Sequence, residues 1–140
     1  MKLLLIRHGQ SIANAEGRLQ GQFDSPLSDL GRQQARALAR RLSGEGQSIS
    51  AIYASDLRRA AETAEILAGH LAVSLTLDPR LREYDWGAFS GLTWDEIQAR
   101  YPQIWQQWQA GEGPLSVPDE EGFEPFQQRV AAAWSAIGAR

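Results

Sequence analysis

Lys2 to Ile6 reads as a short continuous apolar run, the pattern of a strand buried on both faces in a parallel sheet, and it stops at Arg7-His8-Gly9. From Gln10 to Pro26 the chain is polar and punctuated by glycine. That is too long for a simple turn, and such loops tend to carry function. After the candidate N-cap Ser28, the residues Ala35, Leu38, Ala39 and Leu42 recur at helical spacing with Arg32, Arg36 and Arg40 opposite. This predicts an amphipathic helix ended by Gly44-Glu45-Gly46. Ile49 to Ala54 predicts a second strand, and Ser55-Asp56 opens a second helix with Ala60, Ala64, Leu67, Ala68 and Leu71 inward. Val73, Leu75 and Leu77 alternate as a third strand closed by Asp78-Pro79. Thr93-Trp94-Asp95-Glu96 has the form of a capping box, opening a helix that Pro102 interrupts and that Ile104, Trp105 and Trp108 continue. Beyond a loop rich in glycine and proline, Gly111 to Gly122, a last helix is marked by Phe123, Phe126, Val130, Trp134 and Ile137. The β-α-β-α-β order predicts an α/β fold with a mostly parallel sheet, because right-handed crossovers place the helices on its faces.

Composition narrows the chemistry. The 140 residues fit one domain, and 43% hydrophobic with 22% charged is ordinary globular composition. Seventeen acidic residues against 14 basic ones leave a formal charge of −3, which attracts neither nucleic acid nor an anionic membrane. Only Lys2 among the basic residues is not arginine, a bias that genome composition produces by itself, so individual positions must carry any phosphate-binding case. Without cysteine there is no disulfide, thiolate nucleophile or cysteine zinc site, and His8 and His70 are the only histidines available to a metal. The opening apolar run meets Arg7 before a secretory segment would be complete, and nothing later approaches the roughly 18 apolar residues of a membrane span. The expectation is a cytoplasmic enzyme of small molecules, with no nucleic acid or membrane partner and oligomeric state left open.

In an open α/β sheet, ligands bind beyond the carboxyl ends of the strands. Arg7-His8-Gly9 ends the first predicted strand and Ser55 to Arg59 follows the second, so one pocket can hold a histidine beside two arginines. Guanidinium forks suit phosphate oxygens. A neutral imidazole, with its ordinary pKa near ~6.5, can take a phosphoryl group directly, and flanking arginines would favour that neutral form. Past the third strand, Leu81-Arg82-Glu83-Tyr84-Asp85-Trp86-Gly87 offers a carboxyl group to protonate a departing alkoxide and later deprotonate a water. Spacing alone does not choose between Glu83 and Asp85.

These runs resemble the signature of the histidine phosphatase superfamily, in its phosphoglycerate mutase-like branch. The matching blocks are Leu5-Ile6-Arg7-His8-Gly9-Gln10-Ser11 with Asn14, and Asp24-Ser25-Pro26-Leu27-Ser28-Asp29-Leu30-Gly31. Ala54-Ser55-Asp56-Leu57-Arg58-Arg59-Ala60-Ala61-Glu62-Thr63-Ala64 is a third, and Leu81-Arg82-Glu83 with Gly87 and Gly91-Leu92-Thr93 is a fourth. They stand in the family's order across most of residues 3 to 93. The resemblance implies a three-layer α/β/α sandwich with a mostly parallel sheet. It implies His8 as the phosphorylated nucleophile, Arg7 and Arg59 as phosphate arginines, and Glu83 as general acid and base. Arg59 rather than Arg58 matches, because the family's arginine directly precedes the alanine. Asn14, Gln20 and Gly21 fall where family members contact phosphate or substrate, and no metal or organic cofactor is implied.

The family also carries a second catalytic histidine after a further strand, which sits beside the first strand in mid-sheet. Residues 1 to 140 hold no counterpart, so the resemblance implies a single domain lacking its C-terminal part, with apolar faces and backbone groups left without a ladder near Leu3 to Ile6. His70 lies near a helix end, away from any strand end, and does not replace it. The activity implied is hydrolysis of a small-molecule phosphate ester through a phosphohistidine. Mutases of the family have a long insertion after the counterpart of Glu83, whereas here the helix from Phe123 follows soon, which favours a phosphatase. A mutase and a non-catalytic phosphate-ligand binder are the alternatives. Asp85 and Arg58 read as structural or solvated positions. Trp94, Trp105 and Trp108 read as core packing, with a lid over the substrate as the second option.

Overall fold

The computed structural model describes residues 2–46, 48–111 and 116–139. A short helix α1 (Ile12–Ala15) lies inside the polar loop, followed by α2 (Asp29–Gly44), β1 (Ala51–Ala54), α3 (Arg58–Leu71) and β2 (Ser74–Leu77). Two 3-10 turns, Pro79–Leu81 and Gly87–Phe89, lead to α4 (Trp94–Arg100), α5 (Pro102–Ala110) and α6 (Phe123–Gly138). Met1 of the opening run and residues 112–115 of the loop before α6 lie outside the described residues.

α2 and α4 start at side chains that cap them. Ser28 Oγ accepts from the Gly31 N–H at 3.1 Å, and Thr93 and Glu96 close a reciprocal capping box. α3 begins at Arg58, three residues later than Ser55-Asp56 predicted, because Asp56 turns its carboxylate to the Arg82 guanidinium instead of capping the helix. At its other end Ala72 adopts the left-handed conformation (φ 55°, ψ 43°) and its N–H bonds the Ala68 carbonyl, so the chain can turn into β2.

β1 and β2 pair in parallel, Ala51 opposite Ser74 through Ala54 opposite Leu77, with α3 as the crossover packed on both strands. Ala39 and Leu42 of α2 meet Leu67 of α3, and Leu38, Ile49, Ile52 and Leu71 close around them. Each such leucine removed from water contributes roughly 1.5–3 kcal/mol. A second core gathers Phe89, Ile97 and Val117 with Tyr101, Ile104 and Trp105, and it fastens α4 and α5 to the two loops that carry Leu19 and Trp86. Among the described residues no helix is long and apolar enough to cross a membrane.

The first predicted strand is corrected. Residues 2–10 form no strand, and Leu3, Leu4, Leu5 and Ile6 are exposed, Leu5 to 85%. A strand needs a ladder partner, and the described sheet has only β1 and β2. A cleft of about 540 Å³ lies between Leu3–Ile6 and β1, walled further by Leu67 and Leu71 of α3 and by Trp134 and Ile137 of α6. The tryptophan reading is corrected in part. Trp105 packs in the second core, but Trp94 and Trp108 stack on each other with centroids 5.0 Å apart and stay 44% and 47% exposed. They cover one another across the break at Pro102 rather than entering the core.

Candidate active site

His8, Arg59 and Glu83 come together at the mouth of one pocket of about 300 Å³, whose far wall is Leu57, Leu81, Phe126 and Val130. His8 stands at the end of the apolar run, Arg59 in the first turn of α3 and Glu83 just past the first 3-10 turn. The loop at His8 is fixed by Thr63, whose Oγ1 accepts from the Gly9 N–H at 3.1 Å and donates to the Arg59 carbonyl at 2.7 Å. The His8 loop and the helix of Arg59 are therefore joined through one hydroxyl.

The hydrogen bonds select the imidazole tautomer. Nδ1 lies 2.7 Å from the Gly9 carbonyl oxygen, which can only accept, so Nδ1 carries the proton. Nε2 lies 3.2 Å from Arg59 Nε, which can only donate, so Nε2 carries the lone pair and accepts that N–H. Burial lowers the His8 pKa below its ordinary value; the Gly9 carbonyl opposes this, the charges of Arg59 and Arg7 add to it, and Glu83 opposes it. The arginines act in the expected direction, with desolvation as the larger cause.

Arg59 is 3% exposed and gives one donor from each terminal nitrogen to a carbonyl, Nη2 to Gly21 at 2.7 Å and Nη1 to Phe23 at 3.1 Å. Burial lowers its pKa, and the carboxylates of Glu83 and Asp24 counter this. Arg58 is exposed, and its backbone N–H donates to Asp24 Oδ1 at 2.7 Å. Arg7 is exposed along the larger cleft, which also reaches His8 and Glu83. Glu83 Oε1 accepts from the Tyr84 N–H at 2.8 Å. Asp85 Oδ1 accepts from the Gly87 N–H at 3.0 Å, just ahead of the second 3-10 turn. His70 is exposed in the last turn of α3.

Asn14, Gln20 and Gly21 do not line the pocket. Asn14 Oδ1 accepts from the Ser11 N–H at 3.2 Å in the capping box of α1, and Gln20 Oε1 accepts from Ser11 Oγ at 2.6 Å. Gly21 (φ +50°) holds Arg59, and a Cβ there would meet the Tyr84 carbonyl oxygen at 2.6 Å. Among the described residues no three His, Asp or Glu side chains gather closely enough to hold a metal ion. Sequence reasoning placed Phe126 on the apolar face of the last helix and Thr63 in a motif block without giving either a place at the pocket, and it did not single out Arg129, which no spacing signals.

Comparison with known proteins places the chain in a family. The model of the histidine phosphatase superfamily, branch 1, matches residues 3–140. Phosphoglycerate mutase-like protein 4 of Arabidopsis thaliana is 36% identical over 139 residues, covering 98% of this chain and 60% of that protein. Bacillus stearothermophilus YhfR superposes with a TM-score of 0.77 at 39% identity, covering 94% of this chain and 64% of the other. A mycobacterial glucosyl-3-phosphoglycerate phosphatase, solved with VO3, gives 0.78 at 36% identity, covering 94% and 62%. The chain thus spans less than two thirds of the length of each. With the model matching nearly end to end, and with histidine, arginine and glutamate gathered at one pocket, the chain belongs to branch 1 of the histidine phosphatase superfamily.

Proposed function

We propose that this chain carries the nucleophile and the proton donor of a phosphatase acting on small-molecule phosphate monoesters. The observation that carries the reading is the lone pair of His8 Nε2, presented beside the Arg59 donors and next to Glu83. In the first half-reaction Nε2 attacks phosphorus and forms the N–P bond as the P–O bond to the alcohol breaks. Glu83 gives its proton to the departing oxygen, and Arg59 and Arg7 offset charge on the phosphoryl oxygens. In the second, Glu83 takes a proton from water, the water oxygen bonds to phosphorus, the N–P bond breaks, and inorganic phosphate leaves with His8 restored.

Phosphatase is favoured over mutase because the described residues between Glu83 and α6 amount to one 3-10 turn, α4, α5 and loop, with no room for a long insertion. The mutase-like naming of a relative keeps phosphoryl return to a bound acid as the second reading. A panel of small phosphate esters with 3-phosphoglycerate tests the choice. Phosphate release with acid-labile, base-stable label on His8 is expected. Isomerisation without phosphate release would identify a mutase, and binding without label would identify a ligand-binding protein.

A further inference from the structure

The five N–H donors of Arg129, on α6, are all engaged. Nε and Nη2 make a bidentate pair with Glu121 at 2.8 and 2.6 Å. Nη1 donates to the carbonyls of Arg80 at 3.0 Å and Arg82 at 2.6 Å, and Nη2 donates to the carbonyl of Glu83 at 2.9 Å. Glu121 then accepts from the Asp85 N–H at 2.8 Å, on the far side of Glu83. The backbone is therefore tied at residues 80, 82, 83 and 85 to a single ion pair. The guanidinium also lies 5.0 Å over the Phe126 ring, in the wall of the pocket.

The chemistry of Glu83 depends on where its carboxyl stands, and that carboxyl accepts from the neighbouring Tyr84 N–H. Its place is set from the backbone, through the carbonyls of Arg82 and Glu83. We propose that Arg129, with Glu121, is a positioning residue for proton transfer: it holds the Glu83 loop so that the carboxyl reaches the oxygen leaving a phosphate bound at His8. The inference rests on the reading of Glu83 as the acid. A lysine cannot substitute, since a point charge with three donors cannot make the bidentate pair and hold three carbonyls as well.

The test compares Glu83→Gln, Arg129→Met, Arg129→Lys and the double variant Glu83→Gln/Arg129→Met on an alkyl phosphate and on p-nitrophenyl phosphate. The aryl leaving group departs without protonation. If Arg129 positions the acid, both Arg129 variants lower kcat on the alkyl ester, by about 10² if most of the general-acid contribution is lost. KM and the aryl ester should change little, and the double variant should be no slower than Glu83→Gln. A merely structural role would slow both esters alike or lower only the melting temperature, and either outcome overturns the proposal.

A second arm needs no turnover: titration of the His8 ring by NMR. Glu83→Gln removes a carboxylate that favours the charged imidazole, so it should lower the His8 pKa, and Arg129→Lys should move it the same way. If Glu83→Gln changes neither leaving-group dependence nor titration, the assignment of the acid fails. If Glu83→Gln changes them and the Arg129 variants do not, the positioning role fails.

Discussion

The Gln10 carbonyl oxygen occupies the place a side chain on Gly31 would need, since a Cβ built there would lie 2.0 Å from it. Gly9 meets the same turn from the other side, its missing Cβ 2.5 Å from the Gly31 carbonyl oxygen. The nucleophile loop and the first turn of α2 are packed backbone to backbone.

Gly31→Ala separates two opposed effects. In a helix the change normally gains about 0.8–1.0 kcal/mol, but here it forces one backbone away from another, which typically costs about 1–3 kcal/mol. The net result should be a lower denaturant midpoint together with weaker His8 phosphorylation. A more stable variant with full labelling would show that the loop gives way without loss.

The two adjacent arginines should behave differently. Arg59→Ala removes the partner of His8 Nε2 and two carbonyl contacts, and loss of one transition-state donor typically costs about 2.7–4 kcal/mol, or roughly 10²–10³ in rate. Arg58→Ala should be near neutral, and single-turnover labelling of His8 distinguishes them. Were Arg58 the more damaging change, the register of the motif would be wrong.

The lowered pKa of His8 has a sign. Its neutral form persists in the folded protein below about pH 6.5, where the unfolded chain already takes up the proton. Stability therefore falls as pH drops below that value, and the rate of His8 phosphorylation keeps its plateau to a lower pH than a free imidazole would allow. Labelling rates between pH 5 and 8, an interval chosen to bracket the ~6.5 reference, check this, and an apparent pKa above the reference would contradict it.

The cleft between Leu3–Ile6 and β1 presents apolar surface beside a sheet edge, a combination that invites pairing with other chains. Concentration-dependent association in sedimentation velocity is expected, and Leu5→Lys should weaken it. A monomer at every concentration would show the cleft to be closed in solution.

Much of this was readable from residue order because periodicity and capping are local. The inward faces of α2 and α3, the capping box at Thr93 and the break at Pro102 all follow from side chains within a few positions of each other. α1 escaped notice because four residues are too few for a helical period, although Ser11 and Asn14 form its capping box. Leu3 to Ile6 has the composition of a strand without the ladder, since composition cannot supply a neighbour. From residue chemistry and strand ends, only the meeting of His8 with an arginine and a carboxyl was legible; Arg59 over Arg58 and Glu83 over Asp85 were legible through the family resemblance alone. Arg129 was not, because it works on carbonyl oxygens, which every residue has.

The bridge through Thr63 and the ties from Arg129 also set an order of assembly. On a ribosome making about 5–20 residues per second, with N-terminal parts folding first, everything that joins His8 to Arg59 has been made once Thr63 is out. Arg129 follows ~3–13 s later at that rate, bringing the ties to Arg82 and Glu83. In that interval the nascent chain already has the contacts that hold His8 beside Arg59 but lacks those that fix the backbone around Glu83, so the two sides of the pocket are completed at different times.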